Sequence, residues 1–484
     1  MLNIGRLSPG AADYYLGEIA SSAEDYYTGR GETPGRWVGS LAADLGLEDT
    51  VEPAQFRAVL DGRHPFTDEQ LARPRCGRGP ARSAASQPTL FDDDALDLAQ
   101  VAARLRVGVR RVRQLVWAGE RPGTAPDRFL RATRRSPDGR RGRPGWAVPR
   151  VEVERLEAAR AAQRARPGYD LTLRPPKSVS VLWALAPEAV RAEIRQAHAE
   201  AVDQVVAYME AHAVRARLSD SHRTPVDTDG LIAAAFDHRT SRAGDPLLHT
   251  HVVTANLTRT VTGRWQALDA RPLYDHARPA GTLYQAHLRH LLTRRLSLRW
   301  GPVSKGWAEV AGVPQPVIRA FSKRRDEIEQ MVVESGYTSA RAHQTATLAT
   351  RQAKEYGVEP EALLERWRDE AEALGFGPDQ LAACLHQNSP APDPLDEEAL
   401  FSELAGPEGL TRQASTFQRK EVVEAVAERV ADRADAPRVE RLVDSFLASG
   451  AATPLAGSRD RVMRRTGNLE REPRIFSTTS SLSI

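Results

Sequence analysis

The chain has 484 residues, of which 41% are hydrophobic and 27% charged. This composition is typical of core-forming proteins, and the length suits roughly two to four domains. Cys76 and Cys384 are too few and too far apart for a disulfide framework or a cysteine zinc site, which favours a reducing cytoplasm. No secretory signal is recognisable and no window approaches about 18 uncharged apolar residues, so we expect neither secretion nor membrane insertion.

The small net charge of +3 conceals a basic block. From Arg104 to Arg143 the sequence has 13 arginines, no lysine and three acids, a local charge of +10, so the remainder sums to −7. Only five of the 67 basic residues are lysine, and coding bias could explain part of the arginine content. Local binding of a polyanion is the interpretation we favour, because basic side chains that neutralise phosphates release condensed counterions.

The basic block lies in a unit with its own helical pattern, predicted for residues 94–162. Residues 1–71 precede it as an N-terminal segment, and residues 72–93, rich in Pro, Gly, Ser and Arg, are predicted to be a linker. Two apolar stripes at helical spacing flank the Gly108 turn, and a turn-rich hairpin and a third helix follow. This order is typical of an excisionase-like winged helix-turn-helix module. In it Arg110, Arg111 and Arg113 would lie on the recognition helix and contact duplex DNA.

A β-hairpin is predicted farther along the chain. Residues 231–236 form an apolar run of strand length, and residues 252–257 are rich in β-branched side chains. Between these runs, residues 240–246 are turn formers or polar apart from Ala243. We therefore expect a hairpin centred near Ala243 and Gly244.

Three histidines occupy this hairpin. His249 and His251 are two apart and share one face of a strand, and hairpin pairing brings His238 opposite one of them. Three imidazoles suit a divalent first-row metal, and three protein ligands leave coordination positions open for substrate. Asp170 or Asp237 could orient one of the histidines. The spacing thus predicts a catalytic metal centre.

Two tyrosine pairs stand near the start of the sequence. Asp13-Tyr14-Tyr15 recurs as Asp25-Tyr26-Tyr27, so four of the ten tyrosines fall within 14 residues. A phenol, with a pKa near ~10, attacks poorly at neutral pH but becomes a useful nucleophile beside a cation or a general base. Phosphoryl transfer to tyrosine unites both features, because a metal would align a phosphodiester for attack. The ester formed stores the energy of the broken bond, so strands can be rejoined without ATP.

Taken together, these motifs resemble those of MobF-type conjugative relaxases, which are HUH endonucleases. Besides the tyrosines and histidines, the resemblance rests on Asp170-Leu-Thr-Leu-Arg-Pro-Pro-Lys177-Ser-Val-Ser-Val-Leu-Trp183 and on Trp265-Gln-Ala-Leu268, Tyr284 and Phe321-Ser-Lys-Arg-Arg325. It covers about residues 1–70 and 168–370, and more weakly 396–455. The resemblance implies an α+β fold with a palm-like central antiparallel sheet and flanking helices. It also implies an enzyme that nicks single-stranded DNA at an origin of transfer and stays joined to the 5′ end.

The resemblance assigns roles to individual residues. Tyr14 matches the first nucleophile and Tyr26 the tyrosine of the second strand transfer, and their neighbours Tyr15 and Tyr27 could substitute. Asp170 matches an acidic residue beside the site that orients a histidine or accepts the tyrosine proton. The remaining matches are the divalent-metal ligands His238, His249 and His251, for Mg, Mn or Zn, and the weaker phosphate-contact candidates Lys177, Ser241 and Arg242.

Two departures from the relaxase pattern concern domain organisation. The basic unit at 94–162 stands where the family has a short connection, ahead of a relaxase core predicted at 168–375. Residues 396–484 are predicted to be a helical remnant of a relaxase–helicase connection that ends in a polar tail. Because no Gly-Lys-Ser or Gly-Lys-Thr of a P-loop occurs, we expect no ATP-dependent helicase activity.

The resemblance also implies partners, namely a coupling protein and a type IV secretion machinery, and a cytoplasmic location. Two alternatives stay open at this level. One is a rolling-circle replication initiator of the same superfamily. The other is a non-catalytic DNA-binding regulator that acts through the inserted module.

Overall fold

A computed structural model describes fourteen stretches of the chain. They are residues 2–20, 35–72, 95–105, 107–119, 129–135, 145–164, 166–217, 225–241, 243–335, 360–385, 393–455, 459–463, 469–473 and 475–478. The chain divides into two compact units, a larger one of residues 1–6, 12–72 and 168–484 and a smaller one of residues 7–11 and 73–167. The predicted linker, beyond Ala72, lies outside the described residues.

The described chain contains both strands and helices. The strands are β1 Leu2–Arg6, β2 Arg36–Val38, β3 Ala95–Leu96, β4 Thr133–Arg135, β5 Gly145–Pro149, β6 Gly168–Leu173, β7 Ala216–Arg217, β8 Pro225–Val226, β9 Ala233–Thr240, β10 Pro246–Ala255, β11 Thr258–Arg259, β12 Trp265–Gln266, β13 Ala452–Pro454, β14 Arg459–Met463, β15 Leu469–Pro473 and β16 Phe476–Thr478. The helices of the first half are α1 Ala11–Ala20, α2 Ser40–Asp44, α3 Pro53–Leu60, α4 Leu98–Leu105, α5 Val109–Gly119, α6 Arg150–Arg164, α7 Lys177–Leu185 and α8 Glu188–His212. Those of the second half are α9 Ala270–Asp275, α10 Ala277–Leu296, α11 Gln315–Ala320, α12 Lys323–Ser335, α13 Pro360–Ala373, α14 Pro378–Cys384, α15 Glu397–Ala405, α16 Arg419–Arg429 and α17 Ala436–Ala448.

A five-stranded sheet, ordered β1-β6-β10-β9-β2, forms the centre of the larger unit. Every neighbouring pair in it is antiparallel. In β6, Tyr169, Leu171 and Leu173 are buried while Asp170 and Thr172 are only half-buried, so alternation gives this strand a core face and a polar face. The predicted α+β fold with a central antiparallel sheet is confirmed.

Two long helices, α8 and α10, cover the core face of the sheet. Both helices contribute buried side chains to the same core cluster as β6, among them Ile194, Val205, Leu283 and Leu288. Tyr284 of α10 and His198 of α8 meet through a hydrogen bond of 2.6 Å in this layer. The opposite, polar face of β6 and its neighbours is therefore the one left for function.

The last described part of the larger unit differs from the expected helical remnant and polar tail. Helices α15, α16 and α17 are followed by four strands between Ala452 and Thr478. Phe476, which we placed in the tail, is buried, and its ring stacks on Phe417 at 6.1 Å. The backbones of these two residues exchange hydrogen bonds of 2.8 Å in both directions. Phe476 thus packs against a residue far from it in sequence, and this apolar contact orders a segment whose own composition is polar.

The smaller unit has its own apolar core. Asp97 caps α4 by accepting hydrogen bonds from the backbone amides of Ala99 and Gln100 at 2.8 Å, while the Gln100 side chain accepts from the Asp97 amide. Helices α4, α5 and α6 enclose this core with a three-stranded antiparallel sheet ordered β3-β5-β4. Its fully buried members are Val101, Val112, Leu130, Val148, Val153 and Leu156.

In the parts of the chain that the structure describes, no helix is long and apolar enough to cross a membrane.

Buried histidines predict acid sensitivity of the larger unit. Burial lowers the pKa of His276 to about 3 and that of His287 to about 4. Between pH 6.5 and about 4 the unfolded chain would protonate both imidazoles while the folded chain keeps them neutral, so the free energy of unfolding should fall with pH in that window. Each group can contribute at most about 1.4 kcal/mol per pH unit.

Urea unfolding between pH 7.5 and 4.5 measures this slope. His287→Gln should make the slope shallower, because an amide can still accept the hydrogen bond of 3.0 Å from the Ala436 amide but does not titrate. An unchanged slope in the variant would contradict the assignment.

Candidate metal and tyrosine site

The three histidines lie on one hairpin and face one another. His238 on β9 pairs directly with His249 on β10, and His251 lies two residues farther along β10. The ring centroids are 5.0, 5.0 and 5.2 Å apart, and one nitrogen from each ring lies within 4.8 Å of the others. His238 is buried, and the other two are half-buried. The convergence expected from the sequence is present.

A bulge in β10 sets this register. Next to the turn, Pro246 pairs with Thr240, a register that would place His238 opposite Leu248 if it continued. The irregularity between Pro246 and His249 shifts the pairing by one residue, and this shift brings His238 opposite His249. Because a slip of one residue sends a side chain to the other face of a sheet, the bulge puts the imidazoles on one side.

Hydrogen bonds within the turn close it, and a side chain of helix α13 also bonds to it. Ser241 Oγ accepts from the amides of Ala243 and Asp245 at 3.2 Å. Gly244 has a φ of +72°, in the left-handed region, and its carbonyl accepts from Trp367 Nε1 of α13 at 3.0 Å. The hydroxyl of Ser241, expected to contact phosphate, thus organises the turn that carries the histidines.

Two histidines have partners that orient their rings. His251 Nδ1 lies 2.9 Å from both carboxylate oxygens of Asp170, and His249 Nδ1 lies 2.9 Å from the carbonyl oxygen of Leu247. When Nδ1 donates in both cases, Nε2 keeps its lone pair for a metal. Of the two carboxylates considered from the sequence, Asp170 contacts His251 of the triad, and Asp237 accepts a hydrogen bond from Thr250.

Helix α1 brings the first tyrosine pair to this carboxylate. Tyr15 is only 5% exposed, and its hydroxyl donates to Asp170 Oδ2 at 2.9 Å. Its ring stacks on Phe236 with centroids 5.8 Å apart and meets His251 edge-on at 5.7 Å. Tyr14 is half-buried and packs edge-on against Tyr15 at 5.1 Å. The expected second pair, Tyr26 and Tyr27, and Arg242 lie outside the described residues.

A hydrogen-bonded chain supports the hairpin from the core face. Thr250, between the two histidines of β10, donates to Asp237 and meets His198 Nε2 at 2.8 Å. His198 Nδ1 meets the Tyr284 hydroxyl at 2.6 Å. Burial lowers the pKa of His198 to about 4 and raises that of Tyr284 well above its usual range. This hydrogen-bonded chain therefore anchors the strand that carries His249 and His251, and Asp237 belongs to it.

Lys177, the remaining candidate for a phosphate contact, bonds to the protein backbone instead. Lys177 Nζ donates to the carbonyl of Pro246 at 2.6 Å, and burial lowers its pKa to about 8. It thus supports the start of β10. Arg174, which we did not single out from the sequence, directly follows β6 and is exposed. Its position continues the two-residue spacing of Asp170 and Thr172. Two-residue periodicity on β6 was the signal that could have found it.

The histidine set fits a divalent metal ion. Three imidazoles with neighbouring nitrogens, two of them with oriented rings, are a donor set that first-row metals accept. A site with three protein ligands leaves positions open for substrate oxygens.

The chain is similar to proteins of known function. The family model for the TrwC relaxase matches residues 8–374. The multifunctional conjugation protein TraI of Escherichia coli is 35% identical over 225 residues, and its counterpart from strain K12 is 34% identical over 225 residues. Each match covers 44% of this chain but only 12% of the relative, so the chain spans a small part of the length of these proteins.

Solved structures are also similar. The conjugative relaxase TrwC in a metal-bound complex with oriT DNA is 25% identical, with a TM-score of 0.52. TrwC bound to a 27-mer DNA that comprises the recognition hairpin and the cleavage site is 25% identical, with a TM-score of 0.50. Both matches cover 78% of this chain and 99% of the other.

Proposed function

This chain belongs to the TrwC relaxase family, and from that premise we propose that it is a metal-dependent, site- and strand-specific DNA endonuclease and strand transferase. Its substrate is single-stranded DNA at an origin of transfer, which it nicks while forming a 5′-phosphotyrosyl bond. One observation carries the proposal: a single carboxylate, Asp170, binds both the Tyr15 hydroxyl and the His251 ring of a three-histidine cluster.

The reaction needs a phenol, an acceptor for its proton and a held phosphodiester. A hydroxyl of the Tyr14–Tyr15 pair attacks phosphorus, so a tyrosine O–P bond forms and the P–O3′ bond breaks. Asp170 lies within hydrogen-bond distance of Tyr15 and can accept the phenolic proton. The departing 3′ oxygen takes up a proton and leaves as a hydroxyl. The two ester bonds are similar in energy, so the reverse reaction rejoins the strand.

His238, His249 and His251 would hold a divalent ion of Mg, Mn or Zn. When bound, such an ion neutralises phosphate charge and favours in-line attack. Asp170 keeps His251 oriented, and the Leu247 carbonyl does the same for His249. We also assign to Arg174, which directly follows β6 and is exposed, a contact with the DNA backbone.

The family also suggests where and with what this protein acts. We assign it a cytoplasmic location and, as partners, a coupling protein and the type IV secretion machinery. Support for oriT DNA as substrate comes from two TrwC complexes, one with oriT DNA and one with a 27-mer that comprises the recognition hairpin and the cleavage site. The rolling-circle alternative would act on a replication origin instead.

A nicking assay tests the proposal. The full chain, with Mg²⁺ or Mn²⁺, should cleave one strand of an oligonucleotide series that covers the DNA beside its gene. Product should appear at one phosphodiester in one strand, and chelation by EDTA should abolish it. No cleavage of any oligonucleotide with either metal would overturn the proposal.

Asp170→Asn should slow cleavage by about 10- to 100-fold and weaken metal binding, because the amide accepts no proton and orients His251 less strongly. Single-turnover rates across a Mn²⁺ titration and from pH 6 to 9 measure both effects. Asp444→Asn is the matched control, since the exposed Asp444 carboxylate pairs with Arg419 on α16. Equal rates and metal dependence for Asp170→Asn and the unmodified chain would contradict its role.

A further inference from the structure

Helix α5 of the smaller unit exposes a polar and aromatic stripe. Arg110, Arg113, Gln114 and Trp117 are all exposed and follow the spacing i, i+3, i+4, i+7, which aligns them along one face of a helix. Trp117 is 56% exposed, a high value for the largest apolar side chain. An exposed tryptophan beside arginines on the same helix face suits a binding surface.

The other face of α5 is anchored in the core. Val112, Leu115 and Val116 are at most 2% exposed, and the Leu115 carbonyl accepts from the Leu130 amide at 3.0 Å. At 100° per residue these side chains point about 150° away from the stripe. The stripe therefore stands on a helix whose orientation is set by packing.

Charge and size identify the partner. Helix α5 carries three arginines and no acid. The stripe rises about 10 Å from Arg110 to Trp117, which matches about three base-pair steps of 3.4 Å, and the DNA major groove admits one α-helix. We propose that this stripe reads the edges of base pairs in duplex DNA, with α5 lying in the major groove.

Each side chain suits one kind of base-pair edge. Arg110 and Arg113 can donate two hydrogen bonds to guanine, Gln114 can bond to adenine, and Trp117 offers an apolar surface to a thymine methyl group. Arg111 donates to Gln114 Oε1 at 3.0 Å and so restrains the amide. This duplex binding is separate from the tyrosine and histidine site, which lies in the larger unit.

The test selects duplexes of 20 randomised base pairs with the full chain and then measures binding by fluorescence anisotropy. Unmodified chain should enrich a short consensus and prefer it to a shuffled duplex. Arg110→Ala/Arg113→Ala should bind the consensus at least about 25-fold more weakly, at about 5-fold or more for each lost contact. Trp117→Ala should weaken it less. Arg271→Ala/Arg412→Ala, which removes equal charge from exposed positions elsewhere, should bind normally.

Arg113→Lys keeps the charge and the fold but loses the paired donors. It should retain affinity for the shuffled duplex and lose discrimination at one base pair. Failure of the unmodified chain to enrich a consensus, or unchanged consensus binding by Arg110→Ala/Arg113→Ala, would overturn the proposal, as would equal competition by the single strand. Nicking of single-stranded DNA by the α5 variants reports on the other site, so the two proposals can fail separately.

Discussion

The Tyr14→Phe/Tyr15→Phe double variant should form no covalent DNA adduct at the first cleavage and should nick on the order of 10³-fold or more slowly. Both phenolic hydroxyls are lost, so phosphorus has no attacking group from this pair. The rings remain, so the stack on Phe236 and the edge contact with His251 persist and the fold should be unchanged. Denaturing gels with 5′- and 3′-labelled oligonucleotides separate the adduct from free DNA.

Single variants refine this result. Tyr14→Phe and Tyr15→Phe, tested separately, assign the attack to the hydroxyl whose loss removes the adduct. Tyr274→Phe is the control, because its hydroxyl contacts Arg6 rather than Asp170. Adduct formation by the double variant at the unmodified rate would refute the assignment to this pair.

His249→Ala should weaken binding of Mn²⁺ or Zn²⁺ by at least about 100-fold and abolish metal-stimulated nicking. One of three nitrogen ligands is lost, a larger change than removal of a residue that only orients a ligand, which costs 10- to 100-fold. His249 is half-buried, so its truncation disturbs the core less than that of His238. Isothermal titration calorimetry measures affinity and stoichiometry directly, with no dependence on activity.

His64→Ala is the matched histidine control, since its Nδ1 accepts hydrogen bonds only within its own turn, from the amides of Phe66 and Thr67. It should bind one metal ion with the affinity of the unmodified chain. Unchanged affinity in His249→Ala would remove this histidine from the ligand set.

The hairpin and its histidines could be predicted because strand alternation and turn composition are local. The sequence left open whether His238 faces His249 or His251. That choice depends on the bulge before His249, and no residue pattern in the turn specifies a one-residue slip. The contact of Tyr15 with Asp170 joins residues 155 apart, so local periodicity could not predict it. Only the resemblance grouped these two residues.

Elsewhere, burial depended on tertiary contacts. Phe476 lies in a polar stretch, and it is buried against Phe417, which is 59 residues away in the sequence. The sequence suggests that Lys177 contacts phosphate, but in the structure its Nζ donates a hydrogen bond to the Pro246 carbonyl. Trp117 could have been found, because it lies four residues after Arg113 on the face opposite the core. Its hydrophobicity argued for burial, and only the structure places it outside.

During cleavage, DNA should become joined to a tyrosine near the start of the chain. Trypsin should release residues 7–30, bounded by Arg6 and Arg30, as one peptide that contains all four paired tyrosines. After reaction with an oligonucleotide and nuclease trimming, tandem mass spectrometry of this peptide should locate the 5′-phosphate of the nicked strand on Tyr14 or Tyr15. A nicked strand with a free 5′-phosphate and an unmodified peptide 7–30 would contradict covalent attachment of DNA to these tyrosines.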